Sequence, residues 1–147
     1  MDKEDLPKSK NNEEEDDENE KNEEEEEDVE LRLDDRIVLC EDLSNFEQLL
    51  EKSAERESLV VVDFSATWCG PCKKIKPDFK ELSHEYKDVL FMNVDVDEGD
   101  DIADKYSIES IPCFIFIKNS NEIDRLEGAN IEVLKNKLEK YQNCYED

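Results

Sequence analysis

Residues 59–66 read Leu-Val-Val-Val-Asp-Phe-Ser-Ala, a nearly continuous apolar run broken by the single acid Asp63. Too short for a helix of ordinary length and rich in β-branched residues, it suits a central strand covered on both faces. Two residues later comes Trp68-Cys69-Gly70-Pro71-Cys72. Pro71 fits a first helical turn, where its missing N–H costs nothing. The strand therefore leads into a helix over about 70–86, with Ile75, Phe79, Leu82 and Tyr86 on one face. Pro77 lies inside that helix and is expected to kink it near Lys73.

The remaining pattern alternates in the same way. Residues 37–40 form a short β-branched run, a first strand. Ser44-Asn45-Phe46-Glu47 fits a capping box, with Ser44 as the cap. Leu43, Phe46, Leu49 and Leu50 then carry a helix to about Lys52. Residues 89–94 read as a strand, 101–106 as a short helix and 113–117 as a second buried strand. Residues 122–127 make its hairpin partner across Asn119-Ser120-Asn121, since Asn tolerates left-handed turn positions. Ile131, Leu134, Leu138 and Tyr141 form the stripe of a last helix capped by Asn130. The order βαβαβαββα calls for an α/β fold with a mixed five-stranded sheet flanked by four helices. The sequence contains no internal repeat.

Apolar residues are spread unevenly. Residues 1–36 hold 5 of them, and the 111 residues that follow hold 48. The same first 36 residues carry 19 acids and 6 bases, about half of the chain's net −25. With nothing to bury and much to repel, residues 1–35 are expected to be a disordered acidic arm, and 36–147 the folded domain. The arm serves solubility or docks a basic partner; Lys3, Lys8, Lys10 and Lys21 are too scattered for a basic localisation signal. A strongly acidic chain lacks the cations that nucleic acid or an anionic membrane demands, so neither is an expected partner. No apolar run reaches the roughly 18–20 residues of a membrane span. The start, Met1-Asp2-Lys3-Glu4-Asp5, lacks the basic and apolar regions of a secretory signal. The cytoplasm is the expected compartment, with the nucleus also admitted.

Five cysteines stand at 40, 69, 72, 113 and 144, and only Cys69 and Cys72 form a motif. A Cys-x-x-Cys between a buried strand and a helix reads as a redox pair. The unpaired N–H groups and positive dipole end of the helix face Cys69 and favour its thiolate, the nucleophile of disulfide exchange. Cys72 lies one turn deeper, within reach of Cys69, and Lys73 and Lys74 add positive charge. A Cys-x-x-Cys can also be half of a zinc site, but the other two ligands would have to come from His84 and three isolated cysteines, so no metal is expected. A purely structural disulfide is out of place in a cytosolic chain. Asp63 is either a satisfied polar residue at a sheet edge or a functional acid. Its place among Val60, Val61, Val62 and Phe64 favours the second, because burying an acid is costly.

Trp68-Cys69-Gly70-Pro71-Cys72, embedded in VVVDFSATWCGPCKKIKPDF, resembles the thioredoxin family, close to its animal cytosolic members. The resemblance continues through Phe91-Met92-Asn93-Val94-Asp95-Val96-Asp97, Ser110-Ile111-Pro112 and Gly128-Ala129-Asn130, covering 37–141 and omitting the arm. It implies the thioredoxin fold and a mechanism. Cys69 attacks a substrate disulfide, Cys72 resolves the mixed disulfide, and Asp63 exchanges a proton with Cys72. Pro112 matches a cis-proline; the backbone of Ile111 pairs with substrate; Trp68, Gly70, Pro71 and Gly128 complete the docking surface. Gly128 is equally well read as a simple bulge. The resemblance further implies no bound cofactor, electrons from NADPH through a thioredoxin reductase, and protein disulfides as substrates. Gly-Pro between the cysteines matches the reducing members rather than the oxidising folding enzymes.

Three positions depart from the family pattern. Ser65 replaces a tryptophan common in bacterial members, Phe91 replaces a lysine found near the buried acid in some, and Cys113 stands where threonine is usual. Cys113 is either a small core residue or, if exposed near Cys69, a third competing thiol. Cys40 is expected to be buried and inert. Cys144 is the candidate for linking an otherwise monomeric chain into a disulfide dimer under oxidation, and His84 a surface residue remote from the motif. The rival reading is a redox-insensitive adaptor using the thioredoxin surface and the acidic arm; the intact dithiol argues against it. A secretory disulfide isomerase is disfavoured by the absent signal sequence and retention ending.

Overall fold

A computed structural model describes residues 31–142. Its elements run β1 (Arg32–Asp34), β2 (Ile37–Leu39), α1 (Leu43–Glu55), β3 (Val60–Ser65), α2 (Gly70–Glu85), β4 (Leu90–Asp95), α3 (Asp100–Lys105), β5 (Cys113–Lys118), β6 (Asn121–Glu127) and α4 (Ile131–Gln142). The strands lie in the order β1-β2-β4-β3-β5-β6. β4 runs parallel to β2 and β3, while β5 is antiparallel to β3 and to β6, so the sheet is mixed as its connections require.

The apolar run at 59–66 becomes β3, near the middle of the sheet, with Val60 to Phe64 all buried. β5 beside it is equally buried from Cys113 to Ile117. Covered strands of this kind bury side chains on both faces, each Val, Ile or Phe contributing roughly 1.5–3 kcal/mol. One face packs Val61, Phe91, Phe114 and Phe116 against Ile75, Phe79 and Leu82 of α2 and Leu134 and Leu138 of α4. Phe79 meets the rings of Phe91 and Phe114 at 5.2 and 5.5 Å between centroids. On the other face Tyr106 contacts Phe64 of β3 and Phe46 of α1. Since strand side chains alternate, Asp63 points to the same side as Val61, beneath α2.

Two expectations need correction. The sheet has six strands rather than five, because Arg32–Asp34, counted above with the acidic arm, pairs antiparallel with β2. Asp35 turns the chain with a φ of 65°. Asp34 is within 3.4 Å of Lys76 and 3.2 Å of Lys80, and Asp35 bonds His84 at 2.6 Å, all three partners lying on α2. A three-residue edge strand held by such distant partners leaves almost no local pattern. Residues 1–30, the rest of the expected arm, lie outside the described residues, as does Cys144.

The second correction is the cap of α1. Asp42, not Ser44, caps the helix, its carboxylate accepting from the Asn45 amide at 3.1 Å. Asp and Ser cap equally well, so the rule could not choose between neighbours two residues apart. α2 continues through Pro77 to Glu85. In the β5–β6 hairpin, Asn119 and Ser120 both take positive φ, 53° and 67°, as a two-residue primed turn requires. Asn130 caps α4, accepting from the Val133 amide at 3.2 Å.

Candidate active site

Cys69 sits at the junction the sequence marks, where β3 has ended at Ser65 and α2 begins at Gly70. It is the N-cap of α2 in extended conformation, with Pro71 in the first turn. Its Sγ accepts from the Cys72 amide at 3.2 Å, one of the donors a helix start leaves unpaired. Cys69 and Cys72 are joined as a disulfide, with Cα atoms 5.3 Å apart. Both are nearly buried and cluster with Ala66, against Val96 and Ile111. Lys73 and Lys74 lie exposed in the same first turn. The Cys72 amide and the helix dipole converge on Cys69 Sγ, an arrangement that stabilises a thiolate there once the disulfide opens.

The rim is built from three segments. Trp68 is 67% exposed, the most exposed of the large apolar side chains among the described residues. Its Nε1 donates to Asp97 Oδ2 at 2.8 Å, fixing the indole while its face stays open. The Ile111–Pro112 peptide bond is cis. The Pro112 carbonyl accepts from the Gly128 amide at 2.9 Å, which joins the second and third segments. Gly128 has a φ of +108°, a conformation that disfavours any side chain, although a Cβ there would touch nothing within 4 Å. Gly70 likewise has open space where a Cβ would be. The structure thus brings Cys69, Cys72 and Ile111 into one cluster and ties Gly128 to Pro112.

Asp63 lies behind the pair. It is 2% exposed, and burial pushes its carboxyl up from 3.8 to about 7, opposed by the Asn93 amide and the charge of Lys76. Asn93 Nδ2 donates to Asp63 Oδ2 at 3.3 Å, while Asp63 Oδ1 has no hydrogen-bond partner. A cavity of about 350 Å³ is lined by Asp63, Cys72, Lys76, Asn93 and Asp95 among others, so the acid and the second cysteine share one space. Asn93 and Lys76 were not singled out by the sequence. Asn93 matters because it is the register partner of Asp63 across parallel strands, a relation no local pattern encodes.

The other two cysteines among the described residues, Cys40 and Cys113, are free thiols. Cys113 is 1% exposed, and burial pushes its thiol up to about 11, so it stays protonated and out of reach as a third nucleophile. Cys40 is also buried, with its thiol raised by the same cause. His84 is in the last turn of α2, at the opposite end from the cysteines. Among the described residues no group of three or more His, Cys, Asp or Glu could hold a metal ion, and no helix is long and apolar enough to cross a membrane.

The thioredoxin family model matches residues 37–140. Thioredoxin-1 of Caenorhabditis elegans is 45% identical over 95 residues, covering 65% of this chain and 81% of that protein. The thioredoxin of Equus caballus is 47% identical over 95 residues, covering 65% of this chain and 89% of its own length. The crystal structure of Schistosoma mansoni thioredoxin superposes with a TM-score of 0.68 at 43% identity, covering 73% of this chain and 96% of that one. Its fold, its cysteine pair at disulfide distance on a helix start, and these likenesses agree: the chain belongs to the thioredoxin family and is a protein-disulfide oxidoreductase.

Proposed function

We propose that the chain works as a reductant of protein disulfides and helps to maintain cellular redox balance. The observation that carries this reading is the Cys69–Cys72 disulfide at the α2 N-terminus, with the Cys72 amide aimed at Cys69 Sγ. In the reduced protein the Cys69 thiolate attacks one sulfur of a substrate disulfide. A Cys69–substrate disulfide forms, and the first substrate thiolate leaves. Cys72 gives its proton to the Asp63 carboxylate and attacks Cys69 Sγ, expelling the second substrate thiolate. Two electrons have then passed to the substrate, whose two thiolates take their protons from solvent, and the 69–72 disulfide remains. The proton returns to solvent through the cavity shared by Asp63 and Cys72, which is far larger than one water needs. A carboxyl titrating near neutrality is matched to that task.

Substrate docks on Trp68, Gly70, Pro71, Gly128 and the backbone of Ile111 beside cis-Pro112. An open groove lined by Pro71, Ile75, Ala129 and Ile131 continues that surface. No cofactor is bound; electrons come from NADPH through a thioredoxin reductase, the second partner beside the protein disulfides. The chain acts as a monomer in the cytoplasm, with the nucleus also open to it. The test is NADPH consumption with a thioredoxin reductase and insulin as substrate, for the native chain and Cys69→Ser. Turnover by the native chain alone is expected. Equal background rates for both would overturn the reductase reading and leave a docking module.

A further inference from the structure

We propose that Asn93 is a positioning residue for the disulfide reduction: its amide holds Asp63 Oδ2, leaves Oδ1 free beside the cavity shared with Cys72, and so sets the readiness of that carboxyl to take a proton. The inference rests on Asp63 as the proton carrier, as proposed above.

The geometry is specific. Asp63 and Asn93 are partners in the parallel β3–β4 register, so their side chains rise on the same face of the sheet beneath α2. Asn93 Nδ2 lies 3.3 Å from Asp63 Oδ2, 3.3 Å from the Asp63 carbonyl and 3.0 Å from Ser65 Oγ. Two amide hydrogens are shared among three acceptors, all on β3, which fixes the Asn93 rotamer against that strand. The bond to Oδ2 fixes the carboxyl in turn. An amide can only donate from nitrogen, so this contact favours the carboxylate over the acid and offsets part of the desolvation. Asp63 Oδ1, buried and unpartnered, is the oxygen left to exchange the proton.

The titratable and charged groups facing the carboxyl are Cys72, Lys73 and Lys76 of α2 and Asp95 of β4; Cys113 of β5, paired with Phe64, lies on the other face but close enough to feel the Asp63 charge. Lys76 acts in the same direction as Asn93, but its ammonium is also within 3.4 Å of Asp34 on β1. Among the described residues, the Asn93 amide is the one hydrogen-bond donor to the carboxylate. Its removal therefore reads a contribution that Lys76 does not replace.

The experiment is a carbon-detected NMR titration of the Asp63 carboxyl in the reduced full-length protein, native and Asn93→Leu, with Asn93→Ala as the fallback if the larger side chain prevents folding. Loss of one hydrogen bond to a charged group predicts an upward move of the midpoint by about one pH unit. Asn93→Gln, which keeps a donor, should restore much of the native midpoint. An unmoved midpoint in both apolar variants would overturn the inference. Turnover against pH is then measured with Asp63→Asn as background. There, adding Asn93→Leu should leave the profile unchanged; a further shift would show that Asn93 acts elsewhere and sink the proposal. If Asp63→Asn alone matches the native profile, Asp63 is not the proton carrier, Asn93 positions nothing for the reaction, and both readings fall; a midpoint that still moved would show that only the contact was read correctly.

Discussion

Asp63 places chemistry and stability in opposition. A buried carboxyl whose proton is held up to about 7 binds that proton more tightly in the folded chain than in the unfolded one. The sign follows directly. Between the unfolded value near 3.8 and the folded value near 7, the unfolded state ionises first, so rising pH favours unfolding. Above pH 7 the penalty is about 4 kcal/mol at 1.36 kcal/mol per pH unit. Asp63→Asn should therefore be more stable than the native chain at pH 8 by up to that amount and gain little at pH 4. Urea unfolding of both proteins at the two pH values checks it; equal differences at both would contradict the burial argument. Gly128→Ala tests a second residue. Its φ of +108° means strain without a clash, for an expected loss of about 1–2 kcal/mol. The cysteine pair and Asp63 could be picked out of the sequence because chemistry and hydropathy mark them locally. Asn93 could not, since its importance exists only once β3 and β4 are in register.

At the scale of elements, the strongly patterned segments were legible and the weakly patterned ones were not. The run at 59–66 marked β3, and the stripe from Ile131 to Tyr141 marked α4, because a buried face imposes its period on the sequence. β1 escaped because Leu33 within it and Leu31 just before it remain exposed, and its anchors are ion pairs to α2. The start of α1 offers a clean discrimination. Asp42→Ala removes the bond to the Asn45 amide and should cost about 1 kcal/mol, whereas Ser44→Ala should be nearly silent. Thermal or urea unfolding of the two variants decides it; the reverse order would restore Ser44 as the cap.

For the whole molecule, fold class followed from alternation of strand and helix, and the mixed sheet from the closing hairpin. The strand order followed only from contacts between segments far apart in sequence. All proposed site residues lie between Asp63 and Gly128, well inside the described residues 31–142. A chain beginning at Leu31, which keeps β1, should therefore retain the insulin-reduction rate of the full chain. Activity gained or lost on removing 1–30 would make the acidic segment part of the function.

The central claim is that Cys69 attacks and Cys72 resolves. Replacing Cys72 by Ser stops the second step while leaving the first, so the Cys69–substrate disulfide should accumulate. The measurement is mass spectrometry of Cys72→Ser after incubation with a peptide disulfide. The account predicts a covalent adduct mapped to Cys69, absent from Cys69→Ser and released by dithiothreitol. An adduct on Cys40 or Cys113, or none at all, would contradict it.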